Sequence, residues 1–195
     1  MKNKQNLLIV ILTLVIVLGL AGLAYQHLGG SMAPDQLATQ PQQSQDPSDP
    51  DQETQPKVQV PDFTVYDREG NEVSLSSLFG KPIVLNFWAS WCGPCKMEMP
   101  DFDRAYQEIG EDVHFVMVNA TVERETKESA EKFLTENGYS FPVYFDLDGT
   151  ALQTYGIFSF PTTYFIDAEG YGVAMAKGAI SAEMLQQGLD MIYQK

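Results

Sequence analysis

Three regimes of hydrophobic patterning divide the chain. From Leu7 to Ala24 run 18 residues in which Thr13 is the one polar side chain. As a helix rising about 1.5 Å per residue this stretch would measure about 27 Å, close to the roughly 30 Å hydrocarbon core of a bilayer. From Tyr25 to Pro56 there are eight Gln, five Pro and five acidic residues, with neither strand nor helix period, as in a disordered tether. Beyond Lys57, apolar residues return in short runs and helical spacings punctuated by Gly, Pro and Asp. The expected organisation is a cytoplasmic stub at 1–6, a transmembrane anchor at 7–24, a Gln/Pro-rich linker at 25–56 and one folded domain at 57–195.

Within that domain, Phe63 to Tyr66 and Glu72 to Ser74 flank the turn 67–70, a hairpin pattern. Ile83-Val84-Leu85-Asn86-Phe87-Trp88 reads as a strand buried on both faces. After Pro94, apolar residues at Phe102, Ala105, Tyr106 and Ile109 recur at helical spacing until Gly110, which places Cys92 at a helix N-terminus. Strands are predicted at Val113 to Asn119 and Val143 to Phe145, with a helix from Lys127 to Asn137 closed by Gly138. A second hairpin, Thr162 to Ile166 and Gly172 to Ala176, leads into a helix capped by Ser181 and running to about Tyr193. Alternating strands and helices closing on a hairpin imply an α/β sandwich.

Charge narrows the function. The chain carries 12 Lys plus Arg against 26 Asp plus Glu, a net charge of −14, which speaks against nucleic-acid binding or a polybasic membrane contact. Lys2 and Lys4 precede the apolar segment and no basic residue follows it until Lys57. By the positive-inside rule the N-terminus stays in the cytoplasm and the domain is exported. A cleaved signal peptide ending near Gly22-Leu23-Ala24, giving a secreted protein, is the rival reading. A lipid-modified cysteine just past the apolar run is excluded, because the first cysteine is Cys92.

Cys92-Gly93-Pro94-Cys95 carries the candidate chemistry. Two intervening residues put both sulfurs within bonding reach on the first helical turn, where free N–H groups and the helix dipole favour a thiolate. A structural staple, half of a zinc site and two inert core thiols are the competing readings. A ring this short gives only about 2 kcal/mol by loop closure, against about 3 for fifteen residues; zinc lacks two further ligands grouped in the sequence; and inert thiols fit poorly beside Gly-Pro in an oxidising compartment.

The segment Phe87-Trp88-Ala89-Ser90-Trp91-Cys92-Gly93-Pro94-Cys95-Lys96 resembles the active-site segment of thioredoxins. Pro100 falls where that family bends its active-site helix, and Phe160-Pro161-Thr162 is similar to its cis-proline turn. Val60-Pro61-Asp62-Phe63, Gly80-Lys81-Pro82 and the extra helix and strand between Thr121 and Phe145 resemble the narrower group of membrane-anchored TlpA-like and ResA-like thiol-disulfide oxidoreductases. The resemblance covers residues 57–195. It implies a thioredoxin fold, a central mixed sheet flanked by helices, with an N-terminal hairpin and a helix-strand insertion.

It also implies a mechanism. Cys92 attacks a disulfide on a partner protein, Cys95 resolves the mixed disulfide, and the pair is re-reduced by a membrane-embedded thiol donor of the CcdA kind. No cofactor beyond the dithiol is expected, no metal, and the chain is expected to act as a monomer. Trp91, Gly93, Pro94, Phe160 and Pro161 are the expected substrate contacts, with Pro161 across from Cys92. Asn86 stands where cytosolic thioredoxins have a buried Asp. Glu98, three residues past Cys95, matches the carboxylate of the ResA-like Cys-x-x-Cys-x-x-Glu-x-Pro pattern and is expected to face inward and manage the proton. Trp88 is expected in the core, Met97 and Met99 are read as packing, and His114 is assigned no role.

The Gly-Pro pair favours a reductase, with apocytochrome c, exported methionine sulfoxide reductases or spore-envelope proteins as typical targets of the group. Rival functions are a disulfide oxidant or isomerase, an antioxidant electron carrier to an exported methionine sulfoxide reductase or peroxidase, a copper chaperone and a redox-inert binding module. A peroxiredoxin-like peroxidase is disfavoured, since Leu85 and Ala89 stand where its Pro and Thr would precede Cys92.

Overall fold

In the computed structural model, residues 38–39, 59–122 and 124–194 are described. The apolar segment 7–24 lies outside them, as does the tether apart from two residues. Among the described residues no helix is long and apolar enough to cross a membrane.

The strands are β1 (Ala38–Thr39), β2 (Thr64–Tyr66), β3 (Glu72–Ser74), β4 (Ile83–Trp88), β5 (His114–Asn119), β6 (Val143–Phe145), β7 (Thr162–Ile166) and β8 (Gly172–Lys177). The helices are α1 (Gly93–Ile109), α2 (Lys127–Asn137), α3 (Thr150–Tyr155) and α4 (Ala182–Ile192). One mixed sheet runs β1-β8-β7-β4-β5-β6-β2-β3. β4 is central, parallel to β5 and antiparallel to β7, and every one of its residues is buried. The mostly apolar run therefore has the cause assigned to it: both faces are covered.

Alternation along β4 divides the core. Ile83, Leu85 and Phe87 point to a cluster containing Phe63, Leu75 and Ala151 of α3, while Val84 and Trp88 point to the opposite cluster with Cys95, Met99 and Phe102 of α1 and Leu185 and Leu189 of α4. Asn86 shares the parity of Val84 and Trp88, so it faces α1. α4 lies close on the sheet at Gly188, where an added Cβ would come within 2.2 Å of the Phe165 ring. That close approach brings the chain entering α4 to the back of α1.

The structure departs from the sequence reading in three places. Ala38–Thr39, inside the segment expected to form no strand, pairs antiparallel with β8 through Ala38↔Met175 and Thr39↔Ala174. A 3-10 turn at Leu75–Leu78 and helix α3 were not anticipated. Met97 is 70% exposed rather than packed. Met97 and Met99 are two residues apart, about 200° around a helix, so burying Met99 turns Met97 outward.

Candidate functional site

Cys92 is the N-cap of α1 and Pro94 falls in the first turn, where a missing N–H costs nothing. The Cys95 N–H donates to Cys92 Sγ at 3.1 Å, the contact through which a helix N-terminus stabilises a sulfur anion. Cys92 and Cys95 are joined in a disulfide with Cα atoms 5.3 Å apart. The two sulfurs differ in access. Cys92 lines a surface cavity of about 650 Å³, whereas Cys95 is wholly buried and absent from its walls. An incoming disulfide can meet the first sulfur and not the second.

Trp91, Gly93, Pro94 and Phe160 line the same cavity, as do Arg124 and Phe158. Trp91 is 44% exposed and meets Phe160 edge-on at 6.0 Å between ring centroids. The Phe160-Pro161 bond is cis. Pro161 itself is buried, and Phe160 is the member of the pair on the cavity wall. Thr162 Oγ1 donates to Ser159 O at 2.9 Å and Gly178 N–H donates to Pro161 O at 2.8 Å, bracketing the turn. Trp88 is fully buried. Lys96 lies outside the cavity, with Nζ 5.3 Å from the Phe133 ring centroid.

Behind the disulfide, Glu98 lies one helical turn beyond Cys95 on the buried face of α1 and is 2% exposed. Its carboxylate accepts from Asn86 Nδ2 at 2.8 Å and from the Ile180 N–H at 2.9 Å. Loss of water outweighs these two donors and pushes its pKa up to about 7. A group there can take or release a proton near neutrality. Asn86 Nδ2 also donates to Thr163 Oγ1 at 2.9 Å, while its Oδ1 has no partner among the described residues.

In front of the disulfide, the sequence reading missed Glu125. It is 3% exposed and accepts from Ser90 N–H at 3.1 Å, Ser90 Oγ at 3.0 Å and Asn119 Nδ2 at 3.1 Å. These bonds hold the approach to Cys92 against the loop after β5. No local signal marks it, since Ser90 is 35 residues away. Among the described residues no cluster of His, Cys, Asp and Glu could hold a metal ion.

A helix-borne Cys-x-x-Cys disulfide beside a cis-proline turn at the end of a central β-strand defines a thiol-disulfide oxidoreductase of thioredoxin fold. Residues 56–171 match the AhpC/TSA family, and the chain belongs to it. It is 35% identical over 134 residues to the thiol-disulfide oxidoreductase ResA of Bacillus subtilis (strain 168), covering 68% of this chain and 73% of that protein. Among solved structures, StoA from Bacillus subtilis matches with 30% identity and a TM-score of 0.58, covering 68% of this chain and 98% of the other. The exposed lipoprotein thioredoxin of Streptococcus pneumoniae matches with 32% identity and a TM-score of 0.59, covering 67% and 98%.

Proposed function

We propose that this oxidoreductase works outside the cytoplasm, tethered by residues 7–24, and reduces disulfides in exported proteins. The observation that carries the proposal is the unequal access of the two sulfurs, with Cys92 on the cavity wall and Cys95 buried at the turn above Glu98. The Cys92 thiolate attacks one sulfur of the substrate disulfide, forming a mixed disulfide and releasing the other substrate sulfur as a thiolate. Cys95, giving its proton to Glu98, attacks Cys92 Sγ. The Cys92–Cys95 bond forms, the mixed disulfide breaks, and the second substrate sulfur also leaves as a thiolate, so the substrate has gained two electrons; one of its thiolates can take the proton held by Glu98 and the other takes a proton from water. The dithiol is the only electron carrier the cycle needs, and a membrane-embedded thiol donor of the CcdA kind restores it.

Trp91, Gly93, Pro94 and Phe160 form the surface against which the substrate segment lies, with Pro161 buried next to Phe160. Extracytoplasmic placement is supported by Lys2 and Lys4 ahead of the apolar run and by the surface location of the pneumococcal relative. Apocytochrome c and other exported thiol proteins are the substrate class the reading favours.

The deciding experiment is a redox titration with a trap. A potential near about −270 mV, with a Cys95→Ala variant that accumulates mixed disulfides at Cys92, is expected; a potential near about −120 mV would make the protein an oxidant. Failure of the pair to exchange with insulin or any thiol protein would end the proposal. If Glu98→Gln left the pH dependence of Cys92 alkylation and of reductase rate unchanged, the proton-handling role of Glu98 would be wrong.

A further inference from the structure

The groove beside Cys92 carries a feature that disulfide exchange does not require. Arg124 lies over the face of Trp91, its guanidinium carbon 3.6 Å from the ring centroid, and it is the charged residue among those lining the groove. Its neighbour Glu125 forms no ion pair with it, because its carboxylate is turned inward to Ser90 and Asn119. None of the ion pairs among the described residues engages Arg124. Stacking on an indole fixes the guanidinium plane, and among the described residues no carboxylate occupies its N–H edge, the geometry that forms a fork with a carboxylate. In a chain of net charge −14, the general field repels acidic segments, and this one cation attracts them to the reactive sulfur. The Phe158 ring, 98% exposed, lines the same groove.

We infer that Arg124 is a specificity-determining residue that reads a carboxylate side chain flanking the reacting cysteine of an extended polypeptide substrate, with Phe158 receiving an apolar side chain of the same segment. The inference rests on the oxidoreductase reading and deepens it. Arg124 enters no covalent step. The dithiol still supplies both electrons, and Arg124 alters which disulfide is brought to Cys92.

The test uses the full chain, pre-reduced, and two synthetic disulfide-bridged peptides identical but for Glu or Gln on both sides of the attacked cysteine. Rates of peptide reduction give a Glu-to-Gln ratio for each variant, so any general effect on Cys92 reactivity cancels. Wild type is expected to favour the Glu peptide by about two- to fivefold at low salt, the scale of one partly exposed ion pair, with the preference shrinking as salt rises. Arg124→Gln should bring the ratio to one or below, and Arg124→Lys, which keeps the charge without the planar fork, should retain part of the preference. A wild-type ratio of one, or an unchanged ratio in Arg124→Gln, overturns the inference while leaving the oxidoreductase reading intact. Reduction of neither peptide by wild type overturns that reading, and the inference with it.

Discussion

Glu98 behind the disulfide and Glu125 in front of it are buried to nearly the same degree, 2% and 3% exposed. Each accepts from an asparagine on a central strand, Asn86 of β4 or Asn119 of β5. Their remaining partners separate them. Glu125 gathers two more donors from one residue, Ser90 N–H and Oγ, and so ties the approach to Cys92 to the loop after β5. Glu98 has only Ile180 N–H besides Asn86, and Asn86 divides its amide between Glu98 and Thr163. The under-supplied carboxylate has its pKa pushed up to about 7 by burial. The same residue type at the same depth becomes a clamp where donors converge and, where they are scarce, a carboxyl raised toward neutrality, which is what the proposed proton-handling role of Glu98 requires.

The largest expected effect tests the clamp. Glu125→Ala strands three donors beneath the active-site turn, each costing about 1–3 kcal/mol when left unpaired. Urea unfolding should show a loss of at least about 3 kcal/mol. A loss below about 1 kcal/mol would mean that water replaces the carboxylate freely and that no clamp exists.

Next comes the carrier. The folded pKa of Glu98 lies above its unfolded value of 4.5, so the native state binds the extra proton. This contribution is fully present below about pH 4.5 and is lost as pH rises through about 7. The span corresponds to about 3 kcal/mol. The measurement compares unfolding of oxidised wild type and Glu98→Gln, in which the bridged cysteines do not titrate. Relative to Glu98→Gln, wild type should lose stability between pH 5 and pH 8. A difference that stays flat across that range would remove Glu98 from proton handling.

The two glutamates were unequally legible in the sequence, for a physical reason. Glu98 belongs to the helix that carries the cysteines, and a spacing of three from Cys95 fixes its face once the helix is recognised. The mostly apolar strand before Cys92 and the capped helices α2 and α4 were readable in the same way, because their signals are local. Glu125, Arg124 and Phe158 lie in aperiodic loops and acquire their roles only through contacts with Ser90, Trp91 and the groove. Helix α3 has six residues between Gly149 and Gly156, too few for a period to stand out, and β1 has two. The parity of Asn86 along β4 was available from the alternation, but not that it would face Glu98 across the core.

The smallest expected effects compare the partners rather than the glutamates. Ser90→Ala removes one donor from Glu125 and leaves the Ser90 N–H and Asn119 in place, a loss of about 1 kcal/mol. Thr163→Val removes the acceptor that competes for Asn86 Nδ2, also at a cost of about 1 kcal/mol. Here the amide is no longer divided, the bond to the Glu98 carboxylate strengthens, and the charged form gains. The midpoint of the Glu98-dependent loss of stability should therefore move to lower pH in Thr163→Val and stay in place in Ser90→Ala. Equal midpoints in the two variants would mean that Asn86 does not set the protonation of Glu98, leaving burial alone as the cause of its raised pKa.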